Sequence, residues 1–314
     1  MKIYKSYQEF SDIKKQSIVT IGTFDGVHIG HQEIIKNLVQ NANESNSESV
    51  ILTFFPHPRM VLQKSNTIKL LNTIDEKIEL LQKNGLDNLI IQAFTKKFSR
   101  LTALDFVREI LVKHLQTKKL IIGYDHRFGR NREGDFLQLR EYSETYNFEL
   151  EEIPAQDIKD ITVSSTKIRK ALEDGAIEIA NSYLGYHYML TGEVVSGKAL
   201  GRQYNYPTIN IDIKEDYKLI PKSGVYIIKT NINNEHYYGI MNIGKRPTLN
   251  GKRKTIEVHL LDFDQNLYGE KIQVGLLKRL RNEQKFDSIE QLFIQIKKDE
   301  ATARELIKNG QVSF

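Results

Sequence analysis

The apolar residues of this chain change rhythm part-way along, and that change restricts the fold more than any other feature. In the first half, short apolar runs recur at SIVTIG (17–22), SVILTFF (49–55), NLIIQAF (88–94), KLIIG (119–123) and FELEEI (148–153). Most carry Ile, Val and Leu over four to six residues, the signature of strands buried on both faces. Helix-length amphipathic segments separate them. TIDEKIELLQKNG places Ile74, Ile78 and Leu81 on one face and ends at Gly85, a helix stop. LTALDFVREILVKH aligns Leu104, Val107 and Leu111, flanked by Phe106 and Ile110. Strands alternating with helices predict a parallel sheet with helices on both faces, a Rossmann-like α/β domain over residues 1–185.

From Tyr188 the pieces are strand-like throughout: YMLTGEVVSG, TINIDI, GVYIIKTNI, EHYYGIMNIG, KTIEVHLLDF and EKIQVGLLKRL. Asn233-Asn234, Asn250-Gly251 and Pro221 punctuate them as hairpin and turn residues do. No long helix interrupts the series, which predicts a small closed antiparallel β-barrel over residues 186–314. The chain then ends in a helix of about 20 residues, with Ile289, Leu292, Phe293, Ile296, Ala303, Leu306 and Ile307 at helical spacing.

A chain of 314 residues accommodates two cores, and 40% apolar with 27% charged residues is the balance of folded, water-soluble domains. No stretch approaches the roughly 20 apolar residues of a membrane span. The N-terminal MKIYKSYQEFSDIKKQS lacks a secretory apolar core, and cysteine is absent, which rules out disulfides, thiolate metal sites and a cysteine nucleophile. These features predict a cytoplasmic protein. Lys and Arg exceed Asp and Glu by 45 to 40, an excess of +5 that suits phosphate-bearing small molecules. No long basic run points to nucleic acid, and no apolar seam specifies an oligomeric state.

The segment IGTFDGVHIGH closes a predicted strand and opens a predicted helix, the corner at which parallel sheets bind nucleotides. Gly22, Gly26 and Gly30 let backbone approach phosphate oxygens, and the helix start adds free amides and positive dipole. His28 and His31, three residues apart, can meet the same anion. Further on, VSSTKIRKAL offers Ser164 or Ser165 as a helix cap, the Thr166 hydroxyl and the planar donors of Arg169. Such groups suit attack on the α-phosphorus of ATP, where positioning and charge stabilisation dominate catalysis.

These residues resemble the H-x-G-H nucleotidyltransferases, and F-D-G-V-H-x-G-H resembles their bacterial FAD synthetase branch. FFPHP (54–58), GYDHRFGRNREGD (123–135) and VSSTKIR (163–169) are similar to three further elements of that branch. The resemblance implies catalysis by His28 and His31. It implies nucleotide contacts from Gly22, Phe24, Asp25, Gly26, Gly30, Ser164, Ser165, Thr166 and Arg169, and flavin contacts from His57, Pro58, Asp125 and Phe128. His126 stands where the branch usually has Phe, which implies a more polar pocket wall.

In the second half, Gly197 and Gly201 of GKALGR permit a tight phosphate-wrapping loop, with charge from Lys198 and Arg202. Thr208 and Asn210 of YPTIN alternate along an extended segment and so face the same side, offering hard oxygens to Mg²⁺. Glu257, Asp262 and Asp264, carboxylates able to accept a proton, lie near one another in TIEVHLLDFD. GKALGR, YPTIN and TIEVHLLDF resemble motifs of riboflavin kinases, with Tyr206 in place of Phe and Ile209 in place of Ala. That resemblance implies Glu257 as catalytic base and Thr208 and Asn210 as metal ligands. It also implies ATP or flavin contacts from Gly197, Lys198, Gly201, Arg202, Pro207, Asn242, Gly244, Arg281 and Glu283, with Asn242, Gly244 and Thr248 on a loop.

Together the resemblances imply an enzyme that phosphorylates riboflavin to FMN in the barrel and adenylylates FMN to FAD in the α/β domain, with ATP and Mg²⁺ at each site. Two other readings remain open at this level. One is a different nucleotidyltransferase with an accessory barrel. The other is a flavin- or nucleotide-binding regulator without turnover, which would return ATP intact.

Overall fold

The computed structural model describes residues 1–10, 15–63, 68–123, 127–130, 133–153, 163–196, 206–248 and 251–312, with backbone alone for 245–248 and 251–253. The chain divides into two compact units. The first comprises Met1–Leu70 and Ile74–Ser164, and the second Leu71–Thr73 and Ser165–Phe314.

In the first unit the predicted runs become β2 (Ser17–Ile21), β3 (Glu48–Phe55), β4 (Asn88–Ala93), β5 (Thr117–Gly123) and β6 (Glu149–Ile153). A short β1 (Lys2–Tyr4), without an apolar run of its own, joins one edge. The strands lie in the order β1-β4-β3-β2-β5-β6 and every pairing is parallel. Parallel neighbours need crossovers, and α1 (Ile29–Glu44) supplies one, burying Ile35, Leu38 and Ala42 against the sheet. A small α2 (Pro58–Leu62) follows β3, and α3 (Ile74–Lys83) precedes β4. One face of the sheet carries a core of Val19, Ile21, Val50, Leu52, Ile90, Leu120 and Ile122. It packs against α4 (Ala103–Asp105) and the π-helical stretch Phe106–His114 that continues it. The wide π turn brings Phe106, Val107, Ile110 and Leu111 inward together, whereas Leu104, expected on that face, is 41% exposed. Helix α5 (Phe136–Tyr146) completes the unit.

Helix α3 also departs from its expected face. Ile74 and Ile78 are half-buried, while Glu76 and Lys77 are buried beside Leu80 and Leu81. The left-handed Gly85 (φ +79°) ends the segment, as a glycine beyond a helix terminus does.

The second unit opens with α6 (Ser165–Asp174) and α7 (Ile177–Leu184), which pack on each other. Six strands follow: β7 (Met189–Val195), β8 (Ile209–Asp212), β9 (Gly224–Ile232), β10 (Glu235–Thr248), β11 (Gly251–Leu260) and β12 (Lys271–Arg281). They close into an antiparallel barrel in the order β10-β11-β8-β7-β12-β9. Asn233 and Asn234 (φ +54° and +66°) turn β9 into β10, the left-handed pair that a two-residue hairpin demands. Helix α8 (Ile289–Lys308) spans 20 residues and is capped by the Ser288 hydroxyl. Ala303, Leu306 and Ile307 pack with Val225, Ile227, Ile240 and Leu277 of the barrel.

Candidate active sites

In the first unit the corner after β2 is built around an unusual backbone. Phe24 and Val27 adopt positive φ (+45° and +36°), as does Gly26 (+91°), and the Val27 amide donates to the Phe24 carbonyl. Non-glycine residues hold such conformations only where packing fixes them, and Phe24, Asp25 and Val27 are all buried. The Thr23 carbonyl accepts from Thr53 Oγ1 at 3.2 Å and from Lys77 Nζ at 2.7 Å.

His28 caps α1. Its Nδ1 accepts the His31 amide at 3.4 Å, so the proton of the neutral ring resides on Nε2. The two imidazoles, three residues apart, stack with centroids 3.6 Å apart and an interplanar angle of 16°. Phe24 packs its ring on His31 at 5.1 Å. Burial pushes the His28 imidazole down to about 4, against the opposing pull of Asp25. Burial, followed by the charges of His28 and Lys77, holds His31 well below its ordinary value. Both rings are therefore neutral at pH 7, and a phosphate anion arriving beside them would favour their protonation. Burial likewise lowers Lys77 to about 8, with Asp25 pulling upward. Asp25, 2% exposed, is placed to serve as counter-ion to the Lys77 ammonium.

Sequence reasoning did not single out Lys77. A signal was present, because Lys77 lies three residues after Ile74 and four before Leu81, inside the apolar stripe where a surface lysine has no reason to be.

His57 caps α2 through a 3.1 Å bond from the Arg59 amide, with Pro58 in the first helical turn. Phe128, 6% exposed, belongs to the core beside Phe106 and pairs with Gly134. A side chain at Gly134 would lie 2.4 Å from the Phe128 ring, so that glycine is required by close approach. Asp125 and His126 lie outside the described residues. Ser164 ends the first unit, and Ser165, Thr166 and Arg169 fall on α6 of the second.

In the barrel, register assembles the second site. Asn210 on β8 pairs with Glu257 on β11, and Glu257 pairs with Asn242 on β10. Directly paired residues of an antiparallel sheet share a face, so a carboxylate stands between two amides in one row. Gly244 pairs with Thr255 one step along that face. A side chain at Gly244 would sit 2.9 Å from Glu283 Oε1, 3.3 Å from Asn242 Nδ2 and 3.4 Å from Thr255 Oγ1, so three polar groups converge over this glycine. Asn242 and Gly244 thus lie on a strand, not on the loop the resemblance implied, because β10 continues as a ladder with β11 to Thr248. The Pro207 carbonyl accepts from His259 Nδ1 at 2.8 Å, and Tyr206 packs between His259 and Phe293. These contacts hold the extended segment that carries Thr208. Gly197, Lys198, Gly201 and Arg202 lie outside the described residues.

Arg281 is engaged within its own unit. Nε and Nη2 grip Asp299 of α8 at 2.7–3.0 Å, and Nη1 donates to the Asn282 carbonyl. Gln295 adds a 2.8 Å bond to the same carboxylate. Arg281 thereby fixes the end of β12 that presents Glu283. Asp299, 6% exposed, was not singled out from the sequence.

Among the described residues no group of three or more His, Asp or Glu could hold a metal ion. Asn210, paired with Glu257, and Thr208, two residues before it, offer an amide and a hydroxyl oxygen, hard donors few in number. That suits Mg²⁺, which keeps most of its waters and arrives on nucleotide phosphates.

A parallel α/β unit with paired histidines at its nucleotide corner, followed by a closed barrel with a carboxylate set between amides, defines a two-site phosphate-transferring enzyme. The FAD synthetase family profile matches residues 10–167 and the riboflavin kinase profile residues 184–307. The bifunctional riboflavin kinase/FMN adenylyltransferase of Escherichia coli (strain K12) is 37% identical over 97% of this chain and 97% of its own length. That of Listeria monocytogenes is 38% identical over 94% and 93%. The chain belongs to the bifunctional riboflavin kinase/FMN adenylyltransferase family. A solved structure described as a macrolide-efflux protein from Streptococcus pneumoniae superposes with a TM-score of 0.87 at 31% identity, over 96% of this chain and 98% of that one.

Proposed function

We propose that this chain makes FMN from riboflavin and ATP with residues 186–314, and FAD from FMN and ATP with residues 1–185. Membership of the family supports both activities, and riboflavin, FMN, FAD and ATP are the substrates and products they entail. One observation carries the division of labour: each family profile falls on a polar site of its own, one at the His28–His31 corner and one in the Asn210–Glu257–Asn242 row.

In the barrel, Glu257 accepts the proton of the ribityl terminal hydroxyl as its oxygen attacks the γ-phosphorus of ATP, releasing ADP. General-base assistance of this kind accounts for roughly 10²–10⁴ in rate. Thr208 and Asn210 would hold Mg²⁺, which when bound would neutralise charge on the phosphates. Glu283, over Gly244, orients the flavin.

In the α/β unit, an oxygen of the FMN phosphate attacks the α-phosphorus of ATP and pyrophosphate leaves. The phosphate oxygen is already ionised and needs no base to remove a proton from it, so the work is positioning and charge stabilisation. Neutral His28 donates from Nε2, and His31 packs against it to fix its plane. Gly22, Gly26 and Gly30 let backbone amides approach the phosphates, and Ser164, Ser165, Thr166 and Arg169 join this reading through their motif. His57 and Pro58 lie toward the flavin. The protein works in the cytoplasm on small molecules, without nucleic acid. Among the described residues no helix is long and apolar enough to cross a membrane.

The test is a chromatographic time course of riboflavin, FMN and FAD with purified protein, ATP and Mg²⁺. FMN should rise first and FAD follow. His31→Ala should stop FAD formation while FMN accumulates, and Glu257→Ala should block FMN formation while supplied FMN still becomes FAD. If either variant, folded, lost both reactions, the division of labour would be wrong.

A further inference from the structure

Lys77 is 5% exposed, yet it lies on a helix whose other lysine, Lys83, is paired at the surface. A buried ammonium is costly unless its donors are used and its charge compensated. Among the described residues Lys77 makes one hydrogen bond, the 2.7 Å bond to the Thr23 carbonyl, which leaves two of its three donors unspent. Its charge is felt by Asp25 and by His31. His31 Nδ1 is itself a buried nitrogen with no hydrogen-bond partner among the described residues. Two independent polar groups thus stand unspent at the same corner, on different helices, where the backbone is bent into positive φ at Phe24, Gly26 and Val27. Thr23 immediately precedes that bend, so the bond from Lys77 fixes the turn that presents His28.

We propose that Lys77 is a nucleotide-binding residue of the N-terminal site: it anchors the Thr23–His28 turn through the Thr23 carbonyl and turns its remaining donors to the polyphosphate of ATP. This deepens the reading of the His28–His31 corner as the adenylyl-transfer site and rests on it. The chemistry fits the position. A compact ammonium with several donors meets phosphate oxygens as a point charge. In a site shielded from water that charge stabilises the phosphorus under attack far more than it would in solvent. An anion would also restore the full charge of a lysine that burial has weakened.

The experiment uses the full chain and follows FMN to FAD and riboflavin to FMN in the same preparations. Lys77→Met should lower kcat/KM for ATP in FAD formation by about 100-fold, the scale of losing one donor to a developing oxyanion. Riboflavin phosphorylation should stay within about twofold, since a catalytic defect confined to one site costs little at the other. Inhibition of FAD formation by added inorganic pyrophosphate should weaken about tenfold, a readout a purely structural lysine would leave unmoved. Lys77→Arg, which keeps charge and donors, should recover at least about tenfold over Lys77→Met. An unchanged kcat/KM for ATP and unchanged pyrophosphate inhibition in Lys77→Met would overturn the proposal. If Lys77→Met impairs both reactions, Lys77→Arg decides: selective loss of pyrophosphate affinity with kinase activity intact supports it, and equal loss of both activities refutes it. His31→Ala is run alongside. Should that variant make FAD normally, the corner is not the adenylyl-transfer site, a failure separable from that of Lys77.

Discussion

Replacing Asp299 with alanine would leave the Arg281 guanidinium with one hydrogen bond among the described residues, to the Asn282 carbonyl. In the native protein that guanidinium makes contacts of 2.9, 3.0 and 2.7 Å to Asp299. The two side chains are 18% and 7% exposed, so water compensates little for the lost partner. Removing one member of a buried ion pair costs about 3–5 kcal/mol, chiefly because the other charge remains buried and unpaired. For a unit of this size each kcal/mol moves Tm by about 2–4 °C, which gives a drop of about 6–20 °C. Differential scanning calorimetry of the full chain reads the shift, and residual kinase activity after graded heating assigns it to the barrel. A second consequence is functional, because Arg281 and Glu283 are two residues apart at the end of β12. The riboflavin KM of Asp299→Ala should rise about tenfold at temperatures where the protein is folded, the scale expected when a positioned group is displaced. Asp299→Asn, which keeps one acceptor, should fall between. The double change Arg281→Met with Asp299→Met should recover more than half of the lost stability, since no charge is then stranded. A Tm within about 2 °C of native in Asp299→Ala would refute the claim that the pair anchors the closing segment.

Other consequences are more direct. His28 is lowered from 6.5 to about 4, so the unfolded chain binds the extra proton between those values. The stability it contributes is complete above about pH 6.5 and falls away toward pH 4, a loss of about 3 kcal/mol that His28→Gln should abolish in urea titrations run across this window. An identical pH slope in wild type and variant would count against it. Gly134→Ala forces a methyl group to within 2.4 Å of the Phe128 ring and should destabilise the α/β unit by about 1–3 kcal/mol, measured by chemical denaturation. Asn210→Ala should raise the Mg²⁺ concentration required for FMN formation while leaving that for FAD formation unchanged, and equal shifts in both would dissociate Asn210 from the kinase metal.

Much of the architecture is legible without coordinates, because burial on both faces of a parallel strand demands continuous apolar runs and hairpins demand turn residues. Five of the six parallel strands, the barrel strands and the 20-residue terminal helix follow from those two demands. Strand β1 does not, since three residues at a sheet edge carry too little pattern to be seen. The π-helical stretch escaped for a related reason: a spacing rule built on 3.6 residues per turn lined Leu104 up with a core that the wider turn gives to Phe106 and Ile110.

The site divides in the same way. Spacing along one element places His28 beside His31, a local relation, whereas the expected partnership of Thr208 with Asn210 rests on alternation along an extended segment of which only Asn210 falls on β8. The row of Asn210, Glu257 and Asn242 depends on the register among three strands, which residues far apart in sequence settle jointly. Lys77 and Asp299 are the sharpest cases. Each occupies a position in the apolar stripe of its helix, three residues after Ile74 and Ile296 and four before Leu81 and Ala303 respectively. The stripe alone says that these positions face inward. Only the packed structure supplies what waits there, a carbonyl at a strained turn for the lysine and a guanidinium for the aspartate, because the partner of a buried charge comes from a different element and desolvation makes that partner indispensable.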